Sequence, residues 1–599
     1  MKKLILQKRK YKGIDALRIP FKAAPFFVVV QLSIAFVHAL LFTVVLALST
    51  AWFVDTAIDI FAQEAAANAI YLPFAVLLAA IGFGSIIGNL PRIFEARIKF
   101  ALERKLTPAF LDIRAGFNYK HIENAESWEL IERVAKEPIK NIQEAVRAYG
   151  MLIRCIVSIA AILGLIITQV WWAVIVIAAF SVPLIGIALW AGKKSYDAEV
   201  ETRKYNRRHE YYTEVLTSRE AVEERTLFGY GENVNDRFLE QWETARKIEF
   251  WVDVKMWIAM KSSGIAMAAI SVLVALTLIN PVISDDLSPG MFMGVVAAVF
   301  GLVNMLGWNM QDATEKIAKS KEYMKDLTAF MELSQAEGAK DLPDDEPPAF
   351  ESLEFKNVRF KYPTSENYTL DGLSLKLEKG KHYAVVGANG AGKTTTTKLL
   401  TGLYDEYEGE ILLNGKELRS FEASTVKSMF SVVYQDFARY QISMAQNIAI
   451  GDAARDITEE NIERVASKIE LNETIADLKD GINTPLGKII EGGADLSGGQ
   501  WQKIAIARSL ISRAPIKILD EPTAALDPIA ESRVYGEFEE LMRGKTTIFI
   551  SHRLGSTKLA DEILVIKDGG IAENGSHNEL MKLGGIYAEM FEAQRKWYE

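Results

Sequence analysis

The chain has 599 residues, of which 50% are hydrophobic, and its formal net charge is −9 at pH 7. A chain this long exceeds what one hydrophobic core supports, so several domains are expected. The negative charge argues against nucleic acid as the main partner, because phosphate backbones are bound by clustered Lys and Arg. The single cysteine, Cys155, excludes an intrachain disulfide framework and a cysteine metal cluster.

The N-terminal half has the composition of a membrane domain. Its start is basic from Lys2 to Lys12 without a directly following cleavable apolar segment, which predicts a cytosolic tail rather than a removable signal peptide. The amphipathic stretch 14–22 is predicted to lie along the membrane surface. A helix needs about 20 apolar residues to cross a bilayer. Six such spans are predicted at 26–54, 70–90, two within 148–192 with a turn at Thr168-Gln169, 263–284 and 290–310.

The distribution of Lys and Arg predicts the orientation of these spans. The loops 55–69, 168–170 and 284–289 contain neither residue, whereas the intervening segments are rich in both. By the positive-inside rule both termini are cytosolic, which disfavours a large soluble protein with buried helices. The long segments 91–147 and 193–262 are expected to be helices that extend into the cytosol, with turning points at 124–134 and 216–231.

Four polar residues fall within the predicted spans: Gln31 and His38 in the first, and Asn304 and Asn309 in the sixth. Polar groups in lipid cost free energy, so they often serve function. A cavity-facing role in contact with a substrate and packing against a neighbouring helix are both open for each of them.

The C-terminal half is predicted to be an α/β domain. Residues 334–349 are proline-rich and acidic, which is typical of a linker, and from Phe350 short apolar strands alternate with helices. The predicted organisation is therefore a membrane domain at 1–333, a linker at 334–349 and an α/β domain at 350–599.

A phosphate-binding loop is predicted between the strand His382–Val386 and a helix beginning at Thr395. Glycines let the backbone wrap around phosphate oxygens, and free N–H groups at the helix start attract the anion. Lys393 would reach the β- and γ-phosphates, and the Thr394 hydroxyl would contact Mg²⁺. The predicted nucleotide-binding residues of this loop are Gly387, Asn389, Gly390, Ala391, Gly392, Lys393, Thr394 and Thr395.

A second nucleotide element is the strand 516–520, which ends in two carboxylates. Asp520 is predicted to hold hydrated Mg²⁺, and Glu521 to polarise the attacking water. Salt-bridged surface acids are a poor alternative for acids at the end of a buried strand.

Between these elements, Leu496-Ser497-Gly498-Gly499-Gln500 resembles the signature of ABC ATPases. The family's other motifs follow over 350–599, and the resemblance implies four roles. Tyr362 would stack on adenine, and Gln435 would sense Mg²⁺ and face the membrane domain. Asp527 would lie in a loop that crosses a dimer interface, and His552 would contact the γ-phosphate, with Glu521 and His552 as the catalytic residues.

Six spans fused to this domain resemble the exporter branch of the family, whose importers usually keep the two parts on separate chains; soluble ABC relatives lack the spans. The resemblance implies two half-transporters in the plasma membrane of a bacterium that clamp two ATP molecules between them. Each phosphate loop would then face Ser497, Gly498 and Gly499 of the partner. Because Glu521, His552 and the signature are intact, a homodimer with ATP and Mg²⁺ as cofactors is expected.

The sequence around the signature, including Trp501, resembles that of bacterial lantibiotic and peptide exporters, and so do the sequences 435–437 and 211–218. Peptide export is therefore the leading expectation, with multidrug efflux and lipid flipping as alternatives. No peptidase domain precedes the spans, so leader cleavage is expected elsewhere. A gated channel on the same scaffold is disfavoured by the complete catalytic motifs.

Overall fold

The computed structural model describes residues 6–167, 171–218, 221–284, 286–304, 309–488, 492–521, 544–550 and 556–596. Within these ranges the chain divides into two compact units. The N-terminal unit consists of residues 1–112 and 129–332, and the C-terminal unit of residues 113–128 and 333–599. The sequence-based boundaries place residues 113–128 with the membrane domain, whereas contacts group them with the α/β fold.

Up to residue 332, the described residues are mainly helical. Their helices are α1 (Asp15–Ala23), α2 (Pro25–Phe61), α3 (Tyr71–Asn89), α4 (Pro91–Ala115), α5 (Tyr119–Glu123), α6 (Ala125–Ala135), α7 (Pro138–Ile167), α8 (Trp171–Thr217), α9 (Val222–Phe228), α10 (Gly231–Ile283), α11 (Pro289–Asn304) and α12 (Met310–Glu332). The amphipathic stretch predicted at 14–22 corresponds to α1. The turn predicted at Thr168-Gln169 lies outside the described residues.

All six predicted spans lie on helices, namely α2, α3, α7, α8, α10 and α11. Among the described residues, three helical stretches are long and apolar enough to cross a membrane: Pro25–Phe61, Ala67–Ala115 and Pro138–Ile167. Shorter apolar helices run over Ser271–Ile283 and Pro289–Gly301. With 53 residues, α10 is about 80 Å long, so it extends well beyond a hydrocarbon core of about 30 Å.

Apolar side chains on these helices face both inward and outward. Leu72, Phe83 and Ile86 on α3 are each more than 60% exposed, as expected for side chains that face lipid. The helices α7, α10 and α11 share an apolar cluster that includes Ile166 and Leu278.

Helices α2 and α11 approach each other closely because α11 carries glycines one turn apart. A Cβ atom built on Gly290 would lie 2.0 Å from the Ala51 carbonyl oxygen, and one on Gly294 would lie 2.7 Å from the Ala47 carbonyl oxygen. Small residues at this spacing allow backbones in a membrane to pack against each other. Asp55 reinforces the contact by accepting a 2.6 Å hydrogen bond from the Gly290 amide at the start of α11.

The C-terminal unit is an α/β fold with two sheets. Its strands are β1 (Ser352–Phe360), β2 (Leu370–Glu378), β3 (His382–Val386), β4 (Glu408–Leu413), β5 (Lys416–Glu417), β6 (Phe430–Val433), β7 (Ile516–Asp520), β8 (Thr546–Ile550), β9 (Glu562–Lys567) and β10 (Gly570–Gly575). Its described helices after residue 333 are α13 (Lys393–Leu400), α14 (Ala423–Met429), α15 (Met444–Ala449), α16 (Glu459–Lys468), α17 (Asn472–Asp477), α18 (Gly498–Ile511), α19 (His577–Leu583) and α20 (Ile586–Arg595).

The smaller sheet is antiparallel with the order β2-β1-β4-β5, and the larger has the order β10-β9-β3-β8-β7-β6. Neighbours in the larger sheet pair in parallel from β9 to β6, and β10 is antiparallel at the edge. The apolar core fills the space against these strands and includes Phe355, Tyr383, Ile518 and Ile548. Buried parallel strands have nearly continuous apolar sequences, which explains why β3 and β7 were recognisable in the sequence.

Candidate functional site

A cleft lies at the carboxyl ends of the parallel strands. Only β8 separates β3 from β7, so the loops that follow these two strands emerge at the same edge of the sheet. The cleft has a volume of about 850 Å³, a size typical of small-molecule sites. Its lining residues are Tyr362, Thr369, Asn389, Gly390, Gly392, Lys393, Thr394, Thr395, Gln435 and Glu521.

The loop between β3 and α13 needs glycine for steric reasons. Gly392 has φ of 106°, and a Cβ atom there would lie 2.5 Å from Leu370 Cδ2. A Cβ atom on Gly387 would lie 2.3 Å from the Ile566 carbonyl oxygen. The helix begins at Lys393, two residues before the predicted start. Its first backbone N–H groups therefore border the cleft, where they can bind an anion.

Lys393 is held inside this loop. Its side chain is 6% exposed, and Nζ donates hydrogen bonds of 2.8 Å to the Gly387 carbonyl and 3.0 Å to the Ala388 carbonyl. Burial lowers the pKa of the ammonium group, although the nearby Asp520 and Glu521 act in the opposite direction. The cleft thus contains one buried cation beside two carboxyl groups.

The two carboxylates predicted at the end of β7 differ in environment. Asp520 is 3% exposed, and burial together with the adjacent Glu521 raises its pKa to about 6, against the opposing hydrogen bond with Thr394 and the charge of Lys393. Glu521 is half-buried, and its φ of 49° is in the left-handed region, which costs about 1–3 kcal/mol for a residue other than glycine. Its backbone N–H donates a 2.9 Å hydrogen bond to Ile550 of β8. This bend directs the chain so that Glu521 lines the cleft.

Tyr362 closes the cleft on the side of the antiparallel sheet. Its hydroxyl is 2.9 Å from Thr395 Oγ1, and its ring meets Phe360 edge-on with centroids 5.1 Å apart. The ring is half-buried, so it has a supported edge and an accessible surface. An aromatic ring held this way can stack on a purine base.

The signature residues lie at the start of α18 and are not part of the cleft lining. Ser497 and Gln500 form a reciprocal cap: Ser497 Oγ accepts from the Gln500 amide at 3.3 Å, and Gln500 Oε1 accepts from the Ser497 amide at 2.8 Å. Ser497 and Gly498 are exposed. The helix therefore presents a preformed N-terminus at the surface of this unit.

The remaining predicted residues have different outcomes. Gly387 and Ala391 belong to the phosphate loop but do not line the cleft, and Asp527 and His552 lie outside the described residues. Thr369 lines the cleft although the sequence analysis did not predict it. It belongs to no motif and reaches the cleft because its amide pairs with Phe360 at 2.8 Å, beside β2.

A second, polar pocket of about 500 Å³ lies among α2, α3, α4 and α7 of the N-terminal unit. Gln31 and His38, two of the intramembrane polar residues noted in the sequence, both line it. Of the charged residues beside them, Arg92, Glu95 and Arg147 were not predicted because they lie in a segment interpreted as solvated helix faces. The complete lining is Gln31, Ile34, Ala35, His38, Ile87, Gly88, Pro91, Arg92, Glu95, Arg147, Gly150, Met151 and Arg154.

The charges in this polar pocket are unbalanced. Gln31 is 4% exposed; its Nε2 is 3.5 Å from Glu95 Oε1, whereas no described residue donates a hydrogen bond to its Oε1. Arg147 pairs with Glu95 at 2.9 Å. No carboxylate among the described residues pairs with Arg92 or Arg154, so the pocket has an excess of positive charge and an unused acceptor. Of the other polar residues in the spans, Asn309 is half-buried, and the side chain of Asn304 lies outside what is described.

Comparison with known proteins agrees with the fold and the cleft. The family model described as ABC transporter matches residues 370–524. The subtilin transport ATP-binding protein SpaT of Bacillus subtilis is 29% identical over 535 residues, which cover 87% of this chain and 84% of the relative. The ATP-dependent lipid A-core flippase of Pectobacterium atrosepticum is 31% identical over 467 residues, covering 76% of this chain and 77% of the relative.

The structure of a bacterial Atm1-family ABC exporter with ATP bound superimposes with a TM-score of 0.74 at 23% identity, covering 96% of this chain and 99% of that one. This likeness extends over both the helical and the α/β parts, so the fold class predicted from the sequence is confirmed. The phosphate loop, the paired acids after β7 and the similarity to full-length relatives lead to one conclusion. The chain belongs to the ABC transporter family and is an exporter-type membrane ATPase in which transmembrane and nucleotide-binding parts are fused.

Proposed function

We propose that this chain is a half-transporter that pairs with a second copy of itself and uses Mg²⁺ and ATP to export a peptide from the cytosol. The observation that carries the proposal is the cleft, in which Tyr362, Lys393, Gln435 and Glu521 surround one volume. Together they offer a ring that can stack on a base, a cation that can bind phosphate, a polar amide, and a carboxylate that can activate water.

The residues at the cleft suit a magnesium-bound triphosphate. The Thr394 hydroxyl hydrogen-bonds the buried Asp520, and Gln435 contributes an amide oxygen to the lining. Oxygen ligands of this kind are those that Mg²⁺ prefers. The bound ion would neutralise charge on the phosphates. Lys393 then orients the β- and γ-phosphates, and Glu521 accepts the proton of the attacking water.

The exposed signature supports pairing with a second copy. Helix α18 begins at Gly498, outside the cleft lining, so the N–H groups of its first turn can bind a phosphate that belongs to another subunit. In the proposed dimer the signature of each chain completes the cleft of its partner. We assign Asp527 to that interface and His552 to the γ-phosphate, as the family motifs imply.

The proposed location is the plasma membrane of a bacterium, with both termini in the cytosol. The proposal rests on the absence of Lys and Arg from the loops 55–69, 168–170 and 284–289 and on their abundance in the segments between.

Peptide cargo is supported by the similarity to the subtilin transport protein over most of both chains. The lipid A-core flippase is about equally similar, which keeps lipid flipping as the alternative. We place the cargo contact in the polar pocket. Arg92 and Arg154, which lack a carboxylate partner among the described residues, and the Oε1 atom of Gln31 can bind polar groups of a cargo, while Ile34 and Met151 offer apolar contacts.

The test is ATP hydrolysis by the purified chain in lipid vesicles, compared with Glu521→Gln and with Glu351→Gln as a matched control on an exposed surface carboxylate. We expect Glu521→Gln to bind ATP but to lose at least about 100-fold in hydrolysis, and the control to match the wild type. Chelating Mg²⁺ should abolish hydrolysis in all three proteins. Persistent turnover of Glu521→Gln would contradict the general-base assignment.

The cargo is tested in the same vesicles. Peptide export would be supported if peptides stimulate hydrolysis and are themselves taken up into inside-out vesicles. Peptide-independent hydrolysis accompanied by movement of a labelled lipid between leaflets would favour the flippase alternative.

A further inference from the structure

A short segment between two predicted spans contacts residues that pack against Tyr362 of the cleft. Helix α5 lies in sequence between the second and third predicted spans and belongs to the same compact unit as the nucleotide cleft. It is fixed at both ends: Asn118 caps it by accepting from the Lys120 amide at 3.3 Å, and His121 Nε2 lies 2.8 Å from Ser334 Oγ. Its last residue, Glu123, points to the helix that follows the phosphate loop.

Glu123 bridges two residues of that region. Its Oε1 accepts a 2.6 Å hydrogen bond from Lys398 Nζ on α13, and its Oε2 accepts from the Tyr404 hydroxyl. The Lys398 side chain is 16% exposed and that of Glu123 is 37% exposed, so this ion pair is partly shielded from water. Shielded, hydrogen-bonded pairs are held more firmly than surface pairs.

Lys398 in turn contacts Tyr362. Its Nζ lies 5.2 Å from the centroid of the Tyr362 ring and 5.4 Å from that of Tyr119, both within the range of cation–π attraction. Tyr404 meets the Tyr362 ring edge-on at 5.7 Å. Tyr362 lines the cleft whereas Lys398 does not, so the tyrosine lies between the cation and the site.

We infer that Glu123 and Lys398 are positioning residues for the adenine subsite: Glu123 fixes the ammonium group of Lys398, and Lys398 fixes the ring of Tyr362 in the orientation that stacks on the base. The inference rests on the proposed role of Tyr362. Its physical basis is preorganisation, because a ring already held in place loses less freedom when the base binds. The affinity for ATP is thereby set partly by a segment that connects two membrane spans.

The experiment measures KM and kcat for ATP in the full-length chain in lipid vesicles, for Lys398→Met, Lys398→Arg and Glu123→Gln. Methionine keeps most of the apolar stem without the charge, and arginine keeps the charge. We expect Lys398→Met to raise KM about three- to tenfold with kcat within about twofold, and Glu123→Gln to raise KM by less. The Lys398→Arg variant keeps the charge, so its KM should stay within about twofold of the wild-type value.

The control is Lys416→Met, which removes an exposed lysine from the same unit and should leave both constants unchanged. An unchanged KM in Lys398→Met would overturn the inference, and so would a fall in kcat alone. Thermal unfolding of each variant separates loss of fold from loss of affinity, and Glu123→Gln preserves shape and tests the same link without deleting a side chain.

The Tyr362→Ala variant separates this inference from the proposed function. If Tyr362→Ala raises KM and Lys398→Met in that background raises it no further, the positioning of Tyr362 by Lys398 is supported. If the two effects on KM add, that positioning role is wrong while base stacking by Tyr362 stands. If Tyr362→Ala leaves KM unchanged, the stacking assignment itself fails.

Discussion

The nucleotide cleft and the polar pocket differ in how their residues are distributed along the chain. Most of the cleft is formed by the phosphate loop, a continuous run from Gly387 to Thr395. The other lining residues are single positions next to strands of the two sheets. The polar pocket draws its residues from α2, α3, α4 and α7, singly or as pairs of neighbours, with no two of its charged side chains adjacent in sequence.

This difference has a physical origin. Binding phosphate requires several backbone N–H groups from one short loop, so the requirement appears as a motif. A pocket between helices needs only one or two side chains from each helix, and their convergence depends on helix rotation and packing. The cleft is therefore expected to tolerate few substitutions, and the polar pocket to tolerate more, with each residue carrying a smaller share of the effect.

The largest effect is expected in the cleft. Lys393→Ala removes the buried cation that is held by the Gly387 and Ala388 carbonyls, so ATP binding should weaken and hydrolysis should fall at least about 100-fold. Nucleotide titration and steady-state hydrolysis in vesicles provide the measurement, with Lys416→Ala as the control. Unchanged affinity would remove the phosphate-binding role from this loop.

In the polar pocket we expect a smaller and more selective effect. Arg154→Gln removes a cation without a carboxylate partner among the described residues, so cargo transport should fall about tenfold while basal hydrolysis stays within about twofold. The control is Arg97→Gln, an exposed arginine on α4 outside the pocket lining. Equal losses of transport and basal hydrolysis in Arg154→Gln would mean that the pocket serves folding rather than cargo.

The close contact between α2 and α11 can be tested with two glycines on α11. Gly294→Ala places a methyl group 2.7 Å from the Ala47 carbonyl oxygen and should destabilise the N-terminal unit by about 1–3 kcal/mol. Gly301→Ala on the same helix meets nothing within 4 Å and should be neutral or slightly stabilising. Thermal unfolding in detergent compares them, and equal melting temperatures would contradict the tight approach of α2 and α11.

The smallest effect is expected for Lys517, on the strand that ends in Asp520. Lys517 on β7 is 2% exposed, and its Nζ donates to the Ser509 and Ser512 carbonyls at 2.7 Å each. Burial is the main reason that its pKa falls to about 7. A neutral amine still supplies the two N–H groups that these carbonyls use.

Because the folded state binds this proton less tightly than the unfolded state, stability should rise as the pH increases from 7 toward 10. The rise should be about 1 kcal/mol between pH 7 and 8. Lys517→Met should lack this contribution, so the difference in melting temperature between variant and wild type should change with pH. A difference that is independent of pH would mean that the lysine stays charged when buried.

The strand, loop and helix around residues 387–395 could be predicted from the sequence, and the reason is local. The positive φ values at Gly390 and Gly392, the strand before them and the helix after them are properties of a dozen consecutive residues. Helices at the predicted spans could be expected because a bilayer imposes a length and a composition on each helix independently. The strand that ends in Asp520 and Glu521 followed from its continuous apolar sequence.

The features that needed the tertiary structure all depend on residues distant in sequence. Thr369 reaches the cleft only because β2 pairs with β1, and Glu123 reaches Lys398 across 275 positions. Glu95 and Arg147 meet only because α4 packs beside α7. Periodicity assigns such residues to a helix but not to a neighbour, since side-chain contacts are set by how the elements pack. The sequence by itself therefore determined the architecture, the ATPase assignment and the loop after β3, whereas packing decided the polar pocket and the contact of Glu123 with Lys398.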